Sequence, residues 1–166
     1  NFISHGYTPA RCLVGLVQRD GFTDGSETNP YSFEHNDVKH CYLRAGSEVF
    51  PADSLKRRAY DFKNGHYCRA YKSLIDCMAL DNESGFGHLT YESFGFSNCL
   101  FAFDLTSNMN ASDLQVWKSQ SLQLFIDFGD SPVPDGGVQV VIFLELQSIL
   151  QLDAVTGSVI IDPPGI

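Results

Sequence analysis

Apolar and polar positions alternate with a period of two through most of the last third of the chain. Cys99, Phe101, Phe103 and Leu105 form one such row, Leu122, Leu124, Ile126 and Phe128 a second, and Val138, Val140, Ile142, Leu144 and Leu146 a third. Residues two apart share one face of an extended chain, so each row predicts a half-buried β-strand. Gly129 to Gly137, between the last two rows, is rich in Gly, Pro and Asp and predicts a hairpin loop that joins them as an antiparallel pair. Earlier, Arg11 to Gln18 is a short apolar run with β-branched content and no helical spacing, which predicts a strand. Asp20 to Pro30 collects turn residues and predicts a loop. Asp37 to Phe50 reads as two short strands about a turn at Ala45-Gly46-Ser47. Ile149–Ala154 and Ser158–Asp162 add a further short strand or two about Thr156-Gly157, whereas residues 1–10 and 162–166 show no period and are expected to be extended tails.

One segment has helical spacing. From about 64 to 80, Tyr67, Tyr71, Leu74, Ile75 and Met78 make a single apolar stripe, with Arg69, Lys72 and Asp76 on the other face. The stripe predicts a helix packed on its own sandwich. Asp81 to Gly95 mixes Gly and Ser with scattered aromatic residues and reads as a long loop. The sum is an all-β chain, an antiparallel β-sandwich of about eight strands with one inserted helix (about 64–80).

Composition narrows the class. A chain of 166 residues is one domain's worth, and folding at that size buries roughly 70% of the unfolded surface. At 43% hydrophobic and 13% aromatic the chain is too apolar for a disordered segment. A net charge of -9 and a pI near 4.8 disfavour direct nucleic-acid binding and anionic membranes. The longest apolar run, Val138 to Leu146, is broken by Gln139 and Glu145, so no membrane span is written here. The five cysteines (Cys12, Cys41, Cys68, Cys77, Cys99) are odd in number and lack a C-x-x-C pair, which argues for reduced, packed thiols and against a disulfide framework or a zinc site.

Motifs for catalysis and cofactors are weak throughout. Asp20, Asp24 and Gly25 sketch a calcium loop, but Phe22 and Tyr31 stand where ligands are needed. Asp127-Phe128-Gly129 matches the kinase triplet without its companion motifs, and no serine sits in a nucleophile elbow. The five histidines (His5, His35, His40, His66, His88) lack metal-ligand spacing. Asp127 and Glu145 would be a glycosidase-like carboxylate pair if their strands were neighbours. Lys56-Arg57-Arg58 is the sole basic cluster and reads as a solvated loop, and two glycosylation acceptor patterns, at Asn82 and Asn110, matter only in a secreted protein. No enzyme activity, catalytic residue, metal or cofactor is expected.

Several pieces in order carry a family resemblance. Cys12 to Gln18, Asn29-Pro30-Tyr31-Ser32-Phe33, Phe62-Lys63-Asn64-Gly65-His66-Tyr67 with Tyr71 and Leu74, Phe101-Ala102-Phe103-Asp104-Leu105, Ser121 to Phe128 and Val138 to Ile149 together resemble the C-terminal part of the double jelly-roll major capsid proteins of Polinton (Maverick) elements and adintoviruses. The resemblance runs from about residue 11 to residue 161. Tyr31 replaces the family's Phe, and a glycine usual before the long strand is missing at Ser119-Gln120. It implies a single jelly-roll domain over 1–166, a structural role in a virion or capsid, homotrimeric self-association with other capsid proteins, and a reducing intracellular site of assembly. It further implies that the chain is either a fragment of a longer capsid protein or a shortened relative. On this reading the aromatic residues of the long loop, Phe86, Tyr91, Phe94 and Phe96, are the expected subunit interface. The alternative is a β-sandwich recognition module that binds carbohydrate or a protein ligand through its end loops, with Trp117, Tyr91 and Phe94 as stacking platforms.

Overall fold

The computed structural model describes residues 2–19, 29–52, 58–78, 89–106, 118–129, 136–147, 149–152 and 159–162. Its elements are β1 (Phe2–Tyr7), β2 (Arg11–Gln18), β3 (His40–Ala45), β4 (Glu48–Phe50), α1 (Cys68–Cys77), α2 (Tyr91–Phe96), β5 (Leu100–Asp104), β6 (Ser119–Asp127), β7 (Val138–Glu145), β8 (Ile149–Leu152) and β9 (Val159–Asp162). The strands form a four-stranded sheet in the order β1-β6-β3-β4, a three-stranded sheet in the order β5-β2-β7, and a separate β8-β9 pair, with antiparallel pairing throughout. The chain is mostly β, as the alternation predicts.

The two larger sheets bury one face each. In the three-stranded sheet Cys12, Val14 and Leu16 are sealed in the core, and their register partners Phe103, Phe101, Leu144, Ile142 and Val140 point the same way. In the four-stranded sheet Cys41, Leu43 and Ala45 lie opposite Ile126, Leu124 and Leu122 and point into the same cluster. The predicted hairpin at 37–50 forms as β3 and β4, with Gly46 at φ 57 in its turn.

Four expectations are corrected. The first is the tail at 1–10, since residues 2–7 pair with β6 as β1. The second is the hairpin between the last two alternating rows. β6 is already paired on both edges, by β1 and by β3, so β7 has no edge of β6 to join and pairs with β2 in the other sheet. The third is the helix start. Asp61 to His66 closes a turn in which Asn64 donates to Asp61 and Gly65 takes φ 75, so α1 begins only at Cys68. Within α1 the buried row is Ala70, Leu74 and Cys77, with Tyr71 and Met78 packed beside it, and the helix lies along β5. The fourth is the long loop, whose end is helical. α2 is held by a reciprocal cap, Ser93 N–H to Thr90 Oγ1 at 3.1 Å and Thr90 N–H to Ser93 Oγ at 3.0 Å.

Candidate interaction surface

Where α1 and α2 meet the sandwich, aromatic rings form a continuous stack. His35 lies on Phe62 at 4.3 Å between centroids, Phe62 on Tyr67 at 5.0 Å, and Tyr67 on Tyr91 at 4.4 Å, while Tyr71 meets Tyr91 and Phe94 edge-on. The hydroxyls are tied to backbone: Tyr67 Oη donates to Tyr91 O and Tyr71 Oη to Leu89 O, and Tyr91 Oη donates to Gly65 O. Gly95 leaves room for this stack, because a Cβ there would stand 2.3 Å from the Tyr67 hydroxyl.

This packing sorts the expected interface residues. Phe94 is 0% exposed and belongs to the chain's own core, whereas Tyr91 is half-buried, stacked on Tyr67 and edge-on to Tyr71. Loop composition alone hid the short helix that turns Phe94 inward. Phe96 remains on the surface at 78% exposure, and Phe86 lies outside the described residues. Of the stacking platforms named for a recognition module, Phe94 is buried, Tyr91 is half-buried, and Trp117 lies outside the described residues. So do the sketched calcium loop apart from Tyr31, both glycosylation patterns, and Lys56 and Arg57 of the basic cluster.

Phe96 has an exposed companion that sequence reasoning did not pair with it. Phe33 N–H donates to Ser97 O at 2.8 Å and Cys99 N–H to Phe33 O at 3.0 Å, which sets the Asn29–Phe33 turn against the end of α2. Tyr31 is 77% exposed, held by its own N–H to Asn29 Oδ1. Phe33 lies over Gly15 on the outer face of β2, where any Cβ would meet its ring at 2.4 Å. Further along that outer face Leu13 stands opposite Phe143, which is 61% exposed. Tyr31, Phe96 and Phe143 are therefore apolar surface offered to solvent by the loops and outer face of one sheet.

Among the described residues nothing comparable gathers for catalysis. Asp127 lies on β6 opposite His40 and accepts the Gly129 N–H, whereas Glu145 lies on β7, in the other sheet, and pairs with Arg11 at 3.3 Å. These positions are at opposite ends of the sandwich, so the carboxylate pair does not form. A groove of about 600 Å³ between β4, α1 and β5 is lined by Glu48, Asp76, Asp104 and Cys77 among others. Its acids are engaged, Glu48 with Lys118, Asp76 with Lys72, and Asp104 with the Thr106 N–H. Burial pushes the Cys77 thiol up to about 11, which keeps it protonated and unreactive at neutral pH. Cys12, Cys41 and Cys99 are buried and raised by desolvation likewise, while Cys68 is exposed, and all five are free. Among the described residues no cluster of His, Cys, Asp and Glu has the geometry to hold a metal ion, and no helix is long and apolar enough to cross a membrane.

Comparison with known proteins gives one weak relative. The chain is 22% identical over 152 residues to the uncharacterized protein F54H12.2 of Caenorhabditis elegans, a match that covers 87% of the chain and 34% of the worm protein. The chain thus spans about a third of the length of the curated relative it matches. No protein-family model matches, and no solved structure matches.

Proposed function

We propose that the chain is a jelly-roll assembly subunit, the C-terminal jelly roll of a viral or transposon-encoded major capsid protein of the Polinton and adintovirus kind, which forms homotrimeric capsomers of a virion shell. The observation that carries this reading is the strand order. A jelly roll interleaves its strands, so that long connections cross from one sheet to the other and sequence neighbours rarely pair. In the order β1-β6-β3-β4 against β5-β2-β7, the passages β1 to β2, β2 to β3, β4 to β5, β5 to β6 and β6 to β7 all change sheet; within these two sheets β3 and β4 are the one pair of consecutive strands that are neighbours, and β8 and β9 pair with each other apart from them. The helices are inserted in the chain between β4 and β5. An acidic, tightly packed domain with protonated buried thiols, engaged acids and exposed rings at Tyr31, Phe96 and Phe143 suits a role made of contacts rather than chemistry.

The test is a pair of surface substitutions, Tyr31→Ser with Phe96→Ser, in the full-length gene product. Both side chains are exposed, so the fold should survive and the far-ultraviolet circular dichroism should match the parent's. Sedimentation velocity should show the assembled species reduced by on the order of tenfold, the scale of one or two interface anchors. Unchanged assembly in the folded double variant would contradict the assignment of this surface.

A further inference from the structure

β7 is the outermost strand of its sheet, and among the described residues its far edge meets no strand. In an antiparallel ladder alternate residues aim their N–H and C=O groups away from the partner, so this edge presents a row of backbone donors and acceptors. Proline, lysine and bulges are devices that blunt a natural edge strand. The sequence VQVVIFLE has neither proline nor lysine, and its register with β2 runs without a bulge. The core-facing row is also incompletely covered: Val140 is 36% exposed and Ile142 and Leu144 are half-buried, although Leu16, Val14 and Cys12 beside them in β2 are completely buried. What completes such an edge is another β-strand.

Charge and register single out a second β7 as that strand. Glu145, the one charged residue of β7, stands at its end, pairs with Arg11 at 3.3 Å and keeps 42% of its side chain exposed. At the other end Arg19 is exposed and lies along Gly137, its Cδ 3.7 Å from where a Cβ would stand there, and its N–H donates to Gly137 O. Among the described residues the edge thus has an acidic end and a basic end. An antiparallel copy of the same strand brings each end against its opposite, twice, about one two-fold axis. Laid so that Gly137 faces Glu145 of the second copy, the pairing runs the whole strand and has its axis at Val141. On the core face Val138 then lies opposite Leu144 and Val140 opposite Ile142, while on the outer face Val141 meets its own counterpart and Phe143 lies opposite Gln139. No like charges stand opposite each other along β7, and the exposed Val140 and Phe143 are both covered. A slip by one residue would instead set the core row of one copy against the outer row of the other.

We propose that β7 is a self-association edge: two copies of the chain pair antiparallel along it about a two-fold axis at Val141, which joins their three-stranded sheets into one continuous sheet. The inference stands apart from the capsid reading, whose test varies Tyr31 and Phe96. It is tested on the chain 1–166, which carries its own core, by sedimentation equilibrium at several concentrations. The unsubstituted chain should pass from monomer to dimer as the concentration rises. Val141→Lys and Val141→Glu each place like charges on the axis, so either variant alone should dimerise more weakly by on the order of tenfold or more, and an equimolar mixture of the two should recover the dimer. A chain that stays monomeric at every concentration, single variants that dimerise like the parent, or a mixture no stronger than either variant alone would each overturn the proposal. If substitution at Val141 prevents folding, amide hydrogen exchange of the unsubstituted chain decides. The β7 amides should exchange more slowly as the concentration rises while those of β3, paired on both sides, do not change; β7 exchange independent of concentration would overturn the proposal.

Discussion

Phe94 and Phe96 are two positions apart on α2 and have opposite surroundings, one enclosed by Tyr67 and Tyr71 and the other in solvent. Phe94→Ala should cost about 3 to 5 kcal/mol of stability, the range for emptying a buried aromatic site, whereas Phe96→Ala should stay within about 0.5 kcal/mol. Chemical denaturation of the two variants checks the contrast. His35 supplies a pH test. Burial, chiefly, lowers its pKa from 6.5, against the opposing pull of Asp37 and Glu34, and its Nδ1 accepts the Asp37 N–H while the ring lies on Phe62. A base with a depressed folded pKa binds fewer protons folded than unfolded. Its stabilising effect is therefore complete above pH 6.5 and is lost as the pH falls through the folded value. The melting temperature should drop on acidification below 6.5, and His35→Phe should flatten that part of the profile; a variant with the parent's slope would contradict the assignment. At this scale the sequence reading took all five thiols as packed, which holds for Cys12, Cys41, Cys77 and Cys99 but not for the exposed Cys68, and it did not tell which aromatic residues faced inward. That depended on α2, whose Thr90-Ser93 cap has Ser where the recognisable signature has Glu or Gln.

Among the elements, β2 is the most constrained. It is the middle strand of its sheet, and Gly15 near its centre admits the Phe33 ring on the outer face. Gly15→Val should displace Phe33 and with it the Ser97 contact, and destabilise the domain by about 1 to 3 kcal/mol, the cost of overpacking; a thermal melt measures it. β2, the alternating rows of β5, β6 and β7, and the β3-β4 turn were all legible, because period two and turn residues are local signals. Pairing was not. Nothing in Gly129 to Gly137 tells that β1 and β3 occupy both edges of β6, and nothing in the opening residues announces β1, which owes its place to a partner more than a hundred residues away. The start of α1 was obscured in the same way, since the Asp61–Asn64 hydrogen bonds compete with helix in a stretch of suitable periodicity.

In the whole molecule the sheets, helices and exposed residues divide the surface into unlike sides. α1 and the β4-β5 groove occupy one side, β1 and β7, outermost at the other end of their sheets, the other, and Phe143 lies on an outer face. The class, a mostly β chain of antiparallel sheets, was legible from alternation and composition. The central claim is that this domain works by assembly. The measurement that bears on it most directly is the mass of the full-length gene product in solution, by light scattering coupled to size exclusion at several protein concentrations. The account predicts trimers or larger shells; a strict monomer at every concentration would contradict it.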